Sequence, residues 1–388
     1  DSLGTVALLS HLEEVFKVTL RDIRQEELSA FGSLFSALLK RGIAADLPSP
    51  DSIEAITSLP PLLDASLEAI KIRQKFLQNR IPGPIKTIPK PENPDFFSGN
   101  IEGFFGFSML PLGLAGPLKV LGEFAQGDYY LPLATTEGAL VSSIARGAQA
   151  ITLSGGARTK VLADSLVRAP IFLFESIVDM YSFSEWIRAH LSEIRKIAES
   201  TTRFGKLEDI EHFPMGSNLC LRFIFSSGDA SGQNMTTIAT HKAMEFIKAN
   251  FKGNMVDCFL ESNLSGDKKI NGVNYTRNRG KRVIAEADIP REIVKKYLRT
   301  DPERMRRLSE LSMISALHSH SFGSQAHYAN VLTALFIATG QDPACVAESA
   351  AGVTHFQVRD NGNLSVSVSL PGIMVGTVGG GTRLPTQQ

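Results

Sequence analysis

Between Ile171 and Leu260 the apolar residues switch repeatedly between alternate-residue and helical spacing, and this rhythm restricts the fold more than any other stretch of the chain. Ile171 to Phe174 is a short apolar strand. Ser182 and Glu185 are spaced as a capping box, and Ile187, Leu191, Ile194 and Ala198 form the inner face of the helix they would open. Leu219, Leu221, Phe223 and Phe225 alternate as a strand, Ala243, Met244, Ile247 and Phe251 mark a second helix, and Met255 to Leu260 is apolar again. Strand, helix, strand, helix, strand predicts a small α+β unit of the split βαβ, ferredoxin-like type, inserted in a larger domain.

The flanking sequence supplies that larger domain. A helix is expected from about Glu137, with Leu140, Ile144, Ala148 and Ile151 as its buried stripe, after a Gly-, Phe- and Pro-rich irregular or β segment from Gly103 to Pro117. In the uncharged run Leu311–Gln341, Ala329, Leu332, Thr333 and Phe336 recur at helical spacing before Gly340. Leu364, Val366, Val368 and Leu370 alternate with serines as a strand that Pro371 and Gly372 should end. The first 45 residues read as amphipathic helix broken at Gly32, with Leu34, Leu38 and Leu39 apolar, and the proline-rich IPGPIKTIPKPENP after Arg80 reads as a connector. The fold class is therefore α+β: a helical N-terminal segment and linker over 1–95, a large domain of 96–169 and 262–388 built around a long buried helix, and the inserted unit over 170–261.

Composition excludes several functions. Forty basic residues balance forty acidic ones, so no net field draws the chain to nucleic acid or to an anionic membrane. Leu311–Gln341 exceeds the ~20 residues a bilayer needs. Its three histidines, serines, Gln325 and Asn330 would nevertheless each need partners in lipid, so no membrane span is expected. Cys220, Cys258 and Cys345 are odd in number and widely spaced, which fits no disulfide framework and points to a reducing cytoplasm. The opening DSLGTVALLSHLEEVF lacks the basic start and apolar core of a signal peptide.

No GxGxxG follows a strand and no GxxxxGK[ST] occurs, so the common phosphate-cradling loops are missing. Polar clusters in apolar or glycine-rich surroundings stand out instead: ATTEG at 134–138, TTRF at 201–204, GDASGQNM at 228–235, GDKK at 266–269, GQD at 340–342 and GTVGGGT at 376–382. Taken singly they are ordinary. Glu137 in a first helical turn is favoured by the helix dipole, DKK reads as a solvated turn, and GDASGQNM reads as a tight turn between strand and helix. His318, His320 and His327 lack an accompanying carboxylate pattern, so no metal site is expected.

In this order, from about Lys71 to the end, the clusters resemble hydroxymethylglutaryl-CoA reductases, and TTRF with GDASGQNM resembles the first class, found in eukaryotes and archaea. The resemblance implies a two-step, four-electron reduction of 3-hydroxy-3-methylglutaryl-CoA to mevalonate and CoA with NADPH. It makes Glu137 the acid that protonates the aldehyde-level oxygen, Lys268 the cation over the thioester oxygen, and Asp342, held extended by Pro343, the carboxylate that keeps the lysine charged. Asp342 is also the expected neighbour that would raise the Glu137 pKa. Arg168, Asn263, Asp267 and Lys269 are implied on the hydroxymethylglutaryl side, and Ser143, Arg146, His327 and Asn330 on the CoA side. Thr202, Arg203, Phe204, Asp229, Ser231, Gly232, Gln233 and Asn234 are implied for the cofactor, with Arg203 meeting the adenosine phosphate and so favouring NADPH. The large domain would bind substrate and the inserted unit NADP, in a homodimer with an interfacial active site or a tetramer.

The sequence also departs from the family pattern. Glu261, in ESNLSGDKK, stands where the family has a substrate-binding serine, and Glu310 aligns on a lysine that holds the substrate's free carboxylate. Arg306 or Arg307 could replace that lysine if the loop is remodelled. Family chains also carry a histidine after GTVGGGT, expected on a mobile C-terminal flap, that protonates the departing thiolate. Two alternatives follow: a catalytically weak acyl-CoA-binding homologue, or mevalonate oxidation in the reverse direction.

Overall fold

The computed structural model describes residues 64–80, 93–385 and 387. The expected N-terminal helix and most of the proline-rich connector lie outside these residues. Two compact units are present, Asp1–Lys90 with Ile101–Gly106, and Pro91–Asn100 with Phe107–Gln388. In the first, helix α1 (Leu67–Gln78) starts at Ser66, whose hydroxyl accepts the Ala69 N–H, and the buried Arg73 donates to the Phe104 carbonyl at 2.8 Å.

The second unit is mixed α+β, built on one continuous curled sheet of eleven strands. Strands β1 (Leu112–Gly122) and β2 (Gln126–Ala134) form a hairpin, and the end of β1 runs parallel to the start of β3 (Ala157–Arg168). β3 joins two halves of the sheet. Its residues Arg158–Ser165 pair with β8 (Gly280–Ile289), whereas Leu166–Arg168 pair with β6 (Asn218–Ser226). Arg168 therefore ends a strand where the two halves meet.

On one side lie β4 (Ile171–Phe174), β5 (Lys206–Met215), β6 and β7 (Met255–Phe259), in the order β7-β4-β6-β5 with every neighbour antiparallel. β5, absent from the sequence reading, pairs along the whole of β6. Helices α3 (Ile177–Ala189), α4 (Leu191–Glu199) and α5 (Gln233–Asn250) belong to this half, and its core is aromatic, with Phe172, Phe174, Phe183, Phe223 and Phe225 all buried. The capping box expected at Ser182 and Glu185 lies inside α3. The helix starts six residues earlier, where the Ser176 hydroxyl accepts the Asp179 N–H. The single helix expected there is also two, divided at His190, although Ile187, Ile194 and Ala198 are buried as their spacing implies.

On the other side, β8 pairs with β11 (Leu364–Ile373), β11 with β10 (Gly352–Val358), and β10 with the two-residue β9 (Gly323–Ser324). β11 continues through Pro371 and Gly372, which produce an irregularity in the pairing with β8 rather than an end. Helix α2 (Leu140–Leu153) buries Leu140 and Ala148. After it in the chain come the short α6 (Gly272–Arg277), α7 (Pro302–His318) and α8 (Tyr328–Ala338). The long buried helix expected at the centre is short. The uncharged run breaks between α7 and α8, where His320 and His327 take positive φ of 54° and 59°, leaving α8 eleven residues long. Gly340, at φ 69°, follows α8 as expected.

Candidate active site

Four of the six polar clusters converge on the N-terminus of α5 and the turn after α8. The residue before α5, Gly232, takes φ 74°, a conformation that costs glycine little, and no side chain caps the helix. The first N–H groups of α5 are thus available to a ligand, where the helix dipole favours an anion. Gly376 lies directly against the Ser231 amide nitrogen and the Ala230 carbonyl carbon, and a Cβ there would overlap both. The Thr377 N–H donates to the Asp229 carbonyl at 2.7 Å, and Ala230 bridges to Val378. GTVGGGT is thereby laid against GDASGQNM. TTRF joins them through Gly205, next in sequence, which packs against the Met235 thioether of α5. Thr202 accepts the Phe204 and Gly205 N–H groups, while Arg203 and Phe204 are exposed.

The Gln341 side chain closes the opposite edge. Its amide donates to the Gly376 carbonyl and its oxygen accepts the Gly376 N–H, both at 2.9 Å. A cavity of about 240 Å³ lies between, lined by Asp229, Phe336, Gln341 and Gly376 among others.

The next residue, Asp342, reaches GDKK. Lys268 Nζ lies 2.8 Å from Asp342 Oδ2, and the Ala344 N–H donates to Asp342 Oδ1 at 3.0 Å. The hydrogen bond to Asp342 holds the Lys268 pKa above the ordinary lysine value. Burial alone would raise the Asp342 pKa, but the bonds from Lys268 and Ala344 outweigh it and leave the carboxyl below the usual range. Lys268 itself sits at φ 56°, a costly conformation for a residue with a side chain. The Glu348 carboxylate holds it there by accepting the Lys268 N–H at 3.1 Å. Both side chains of the pair are 44% exposed, so in a single chain the site is wetter than the sequence reading implied.

Beneath the loop lies an ion network that joins the residues implied on the acyl side to Arg279 and Glu348, which the sequence alone did not single out. Arg279 is buried, its Nη2 2.7 Å from Asp267 Oδ1 and its Nε 2.6 Å from Glu348 Oε2. Arg168 Nη1 lies 2.8 Å from Glu261 Oε2 and 3.4 Å from Asp267 Oδ2. Lys269 bonds the Asp267 carbonyl at 3.0 Å, and the Asn263 carbonyl accepts the Gly266 N–H at 3.1 Å.

Glu137 is placed differently from its expectation. It is exposed and precedes α2 by three residues, because Ala139 adopts φ 67° and the helix begins only at Leu140. The helix dipole therefore does not act on it as on a first-turn residue. Its Oε1 accepts from Asn330 Nδ2 at 3.2 Å, and both line a cavity of about 350 Å³ against Thr135, Thr136 and α8. Among the described residues no hydrogen bond links Glu137 to Lys268 or Asp342, whose carboxylate is committed to the lysine. Ser143 and Arg146 are exposed on α2, and His327 is exposed at the start of α8. Glu310 pairs with Arg306 one helical turn away at 2.9 Å, on the surface of α7.

A lysine–carboxylate pair fixed on a strained loop, beside an uncapped helix N-terminus in glycine-lined backbone, defines an enzyme site for an anionic ligand and for developing negative charge. The hydroxymethylglutaryl-coenzyme A reductase family profile matches residues 69–388. The 3-hydroxy-3-methylglutaryl-coenzyme A reductases of Pyrococcus abyssi and Methanocaldococcus jannaschii are 42% and 43% identical to the chain, over 82% of it and 79% and 80% of their own lengths. The chain belongs to the hydroxymethylglutaryl-coenzyme A reductase family. In fold it is similar to the class II reductase of Streptococcus pneumoniae bound to NADPH in open conformations, with TM-score 0.59 at 18% identity over 94% of this chain and 91% of that one.

Proposed function

We propose that the chain reduces 3-hydroxy-3-methylglutaryl-CoA to mevalonate and CoA with NADPH, in two steps and four electrons. Family membership supports the reaction, and the fixed Lys268–Asp342 pair carries the mechanism. Reducing a thioester puts negative charge on its carbonyl oxygen, and the Lys268 ammonium, kept protonated by Asp342, stabilises that charge. The thiohemiacetal then releases CoA and leaves an aldehyde, whose oxygen takes a proton from Glu137 in the second reduction. Arg168, Asn263, Asp267 and Lys269 hold the acyl portion, and Ser143, Arg146, His327 and Asn330 the CoA portion.

NADPH supplies hydride when bound. Asp229, Ser231, Gly232, Gln233 and Asn234 would hold it together with Thr202, Arg203 and Phe204. These residues fit the group: the α5 N-terminus is uncapped, Gly376 lies against the Ala230–Ser231 backbone where a Cβ would not fit, and the Arg203 guanidinium is exposed for a phosphate. Residues 170–261 act as the NADP-binding domain, and 96–169 with 262–388 as the substrate domain.

The chain is assigned to the first class. In support, its identity to the Pyrococcus abyssi reductase is 42%, against 18% to the class II structure. A half-exposed Lys268–Asp342 pair, with Glu137 bonded to Asn330 rather than to either of them, supports a homodimer whose active site forms between subunits, with tetramers as its doubling. Three free, buried cysteines suit a cytoplasmic location. NADPH oxidation that depends on 3-hydroxy-3-methylglutaryl-CoA and yields mevalonate, detected by mass spectrometry, is the test; substrate-independent oxidation or a different product would sink the reading.

A further inference from the structure

Arg168 ends β3 with its guanidinium already occupied. The residue is buried at 8% exposure, and Glu261 Oε2 makes its shortest ionic contact, at 2.8 Å. The other Glu261 oxygen accepts the Ser265 hydroxyl, so both carboxylate oxygens are engaged. The backbone fixes this meeting: Ser262, next to Glu261, donates both its N–H and its hydroxyl to the carbonyl of Ala169, next to Arg168, each at 2.8 Å.

The cluster is crowded with charge. Two guanidiniums, of Arg168 and Arg279, meet three carboxylates, of Glu261, Asp267 and Glu348, and the Lys269 ammonium bonds the Asp267 carbonyl. Asp267 is tied to Arg279 and Glu348 is buried, whereas the Glu261 side chain, at 35% exposure, is the outermost of the three.

We propose that Glu261 sets the acyl specificity of this site, its carboxylate occupying the face of Arg168 that an anionic acyl group would need. The proposal rests on the reading that Arg168 faces the acyl portion. A ligand carboxylate entering there meets a like charge on the same guanidinium, which opposes binding. A ligand hydroxyl, in contrast, can donate to Glu261. The residue selects hydroxyl contacts over carboxylate contacts at this corner, and a substrate bearing a free carboxylate binds only after displacing Glu261 from Arg168.

The test is calorimetric binding of 3-hydroxy-3-methylglutaryl-CoA and of CoA alone to the full chain and to Glu261→Ser, Glu261→Gln and Arg168→Ala, with KM and kcat measured in parallel. Glu261→Gln keeps size and one of the two accepted hydrogen bonds while removing the charge. Both Glu261 variants should bind the acyl-CoA about tenfold more tightly, as expected for removing a like-charge contact, and CoA alone as the parent does. The gain should appear in KM rather than in kcat. Unchanged or weaker acyl-CoA binding in both, while Arg168→Ala weakens it, overturns the role of Glu261 alone. Parent-like acyl-CoA binding by Arg168→Ala removes that arginine from the acyl site and the proposal with it. Failure of the parent to bind the acyl-CoA at all overturns the functional reading instead.

Discussion

The side-chain amide of Gln233 donates to the thiol sulfur of Cys345 at 3.0 Å, tying the first residue of α5 to the turn that carries Asp342. The helix end proposed for the cofactor is thus bonded to the same short turn that Asp342 caps.

That thiol should be chemically silent. Burial, reinforced by the Glu348 charge, pushes the Cys345 pKa up to about 12, so the thiolate required for alkylation is scarce at neutral pH. Iodoacetamide treatment of the folded protein followed by peptide mass spectrometry should leave Cys345 unmodified, with labelling only after urea unfolding. Rapid labelling of the native protein would contradict this environment.

Lys268→Ala should lower kcat by about 10²- to 10³-fold with acyl-CoA affinity largely kept, because the ammonium acts on charge that develops only in the transition state. Lys269→Ala, whose ammonium bonds the Asp267 carbonyl, should change affinity more than turnover. The pH dependence has a definite sign. Asp342 raises the Lys268 pKa above 10.5, so the pair is intact below that value and is lost as pH rises through the folded pKa. Asp342→Asn should move the alkaline limb of the kcat profile downward; a limb that stays in place would detach Asp342 from the charge state of Lys268.

How much of this was legible follows from which residues face water. The alternation Leu219, Leu221, Phe223, Phe225 reads directly as a strand face, yet the intervening Cys220 and Arg222 are buried as well. The opposite face is covered by contacts distant in sequence: Arg222 bonds Glu211, Asn274 and the Asn278 carbonyl. β5 escaped because its polar residues interrupt any apolar pattern over KLEDIEHFPM. The α3 start was misplaced because Ser176 and Asp179 have the same spacing as Ser182 and Glu185, and only the position of the preceding strand decides between them. Lys268 and Asp342 were paired through family resemblance, since nothing local links two residues so far apart. Arg279 lies in a basic run, RNRGKR, whose composition suggests solvent, and only the fold puts it at 1% exposure between two carboxylates.

Arg203→Ala should weaken NADPH binding far more than NADH binding, by about 1.5 to 3 kcal/mol for one charged hydrogen-bonding contact. The side chain is exposed beside Phe204, so the substitution removes charge with little effect on the core. Fluorescence titration with both cofactors measures the difference. An equal loss for each would separate Arg203 from the adenosine phosphate.

Arg279→Met should destabilise the fold by about 3 to 5 kcal/mol in urea unfolding, because it leaves Asp267 and Glu348 without their buried cation. The deficit should depend on pH. Burial raises the Glu348 pKa above its ordinary 4.5, and Arg279 partly offsets that rise. A carboxyl whose folded pKa is raised binds its proton more tightly in the native state, so its contribution to stability declines as pH rises from about the ordinary value through the folded one. Removing Arg279 takes away the opposing attraction and carries that decline further up the pH scale. The gap between variant and parent should therefore be smallest at the acid end, near the ordinary carboxyl pKa, and widen toward neutrality. Adding Glu348→Gln to Arg279→Met removes one of the stranded charges and should recover part of the loss at neutral pH. A deficit that is the same at every pH, and untouched by Glu348→Gln, would mean that Arg279 stabilises the protein by packing rather than by neutralising these carboxylates.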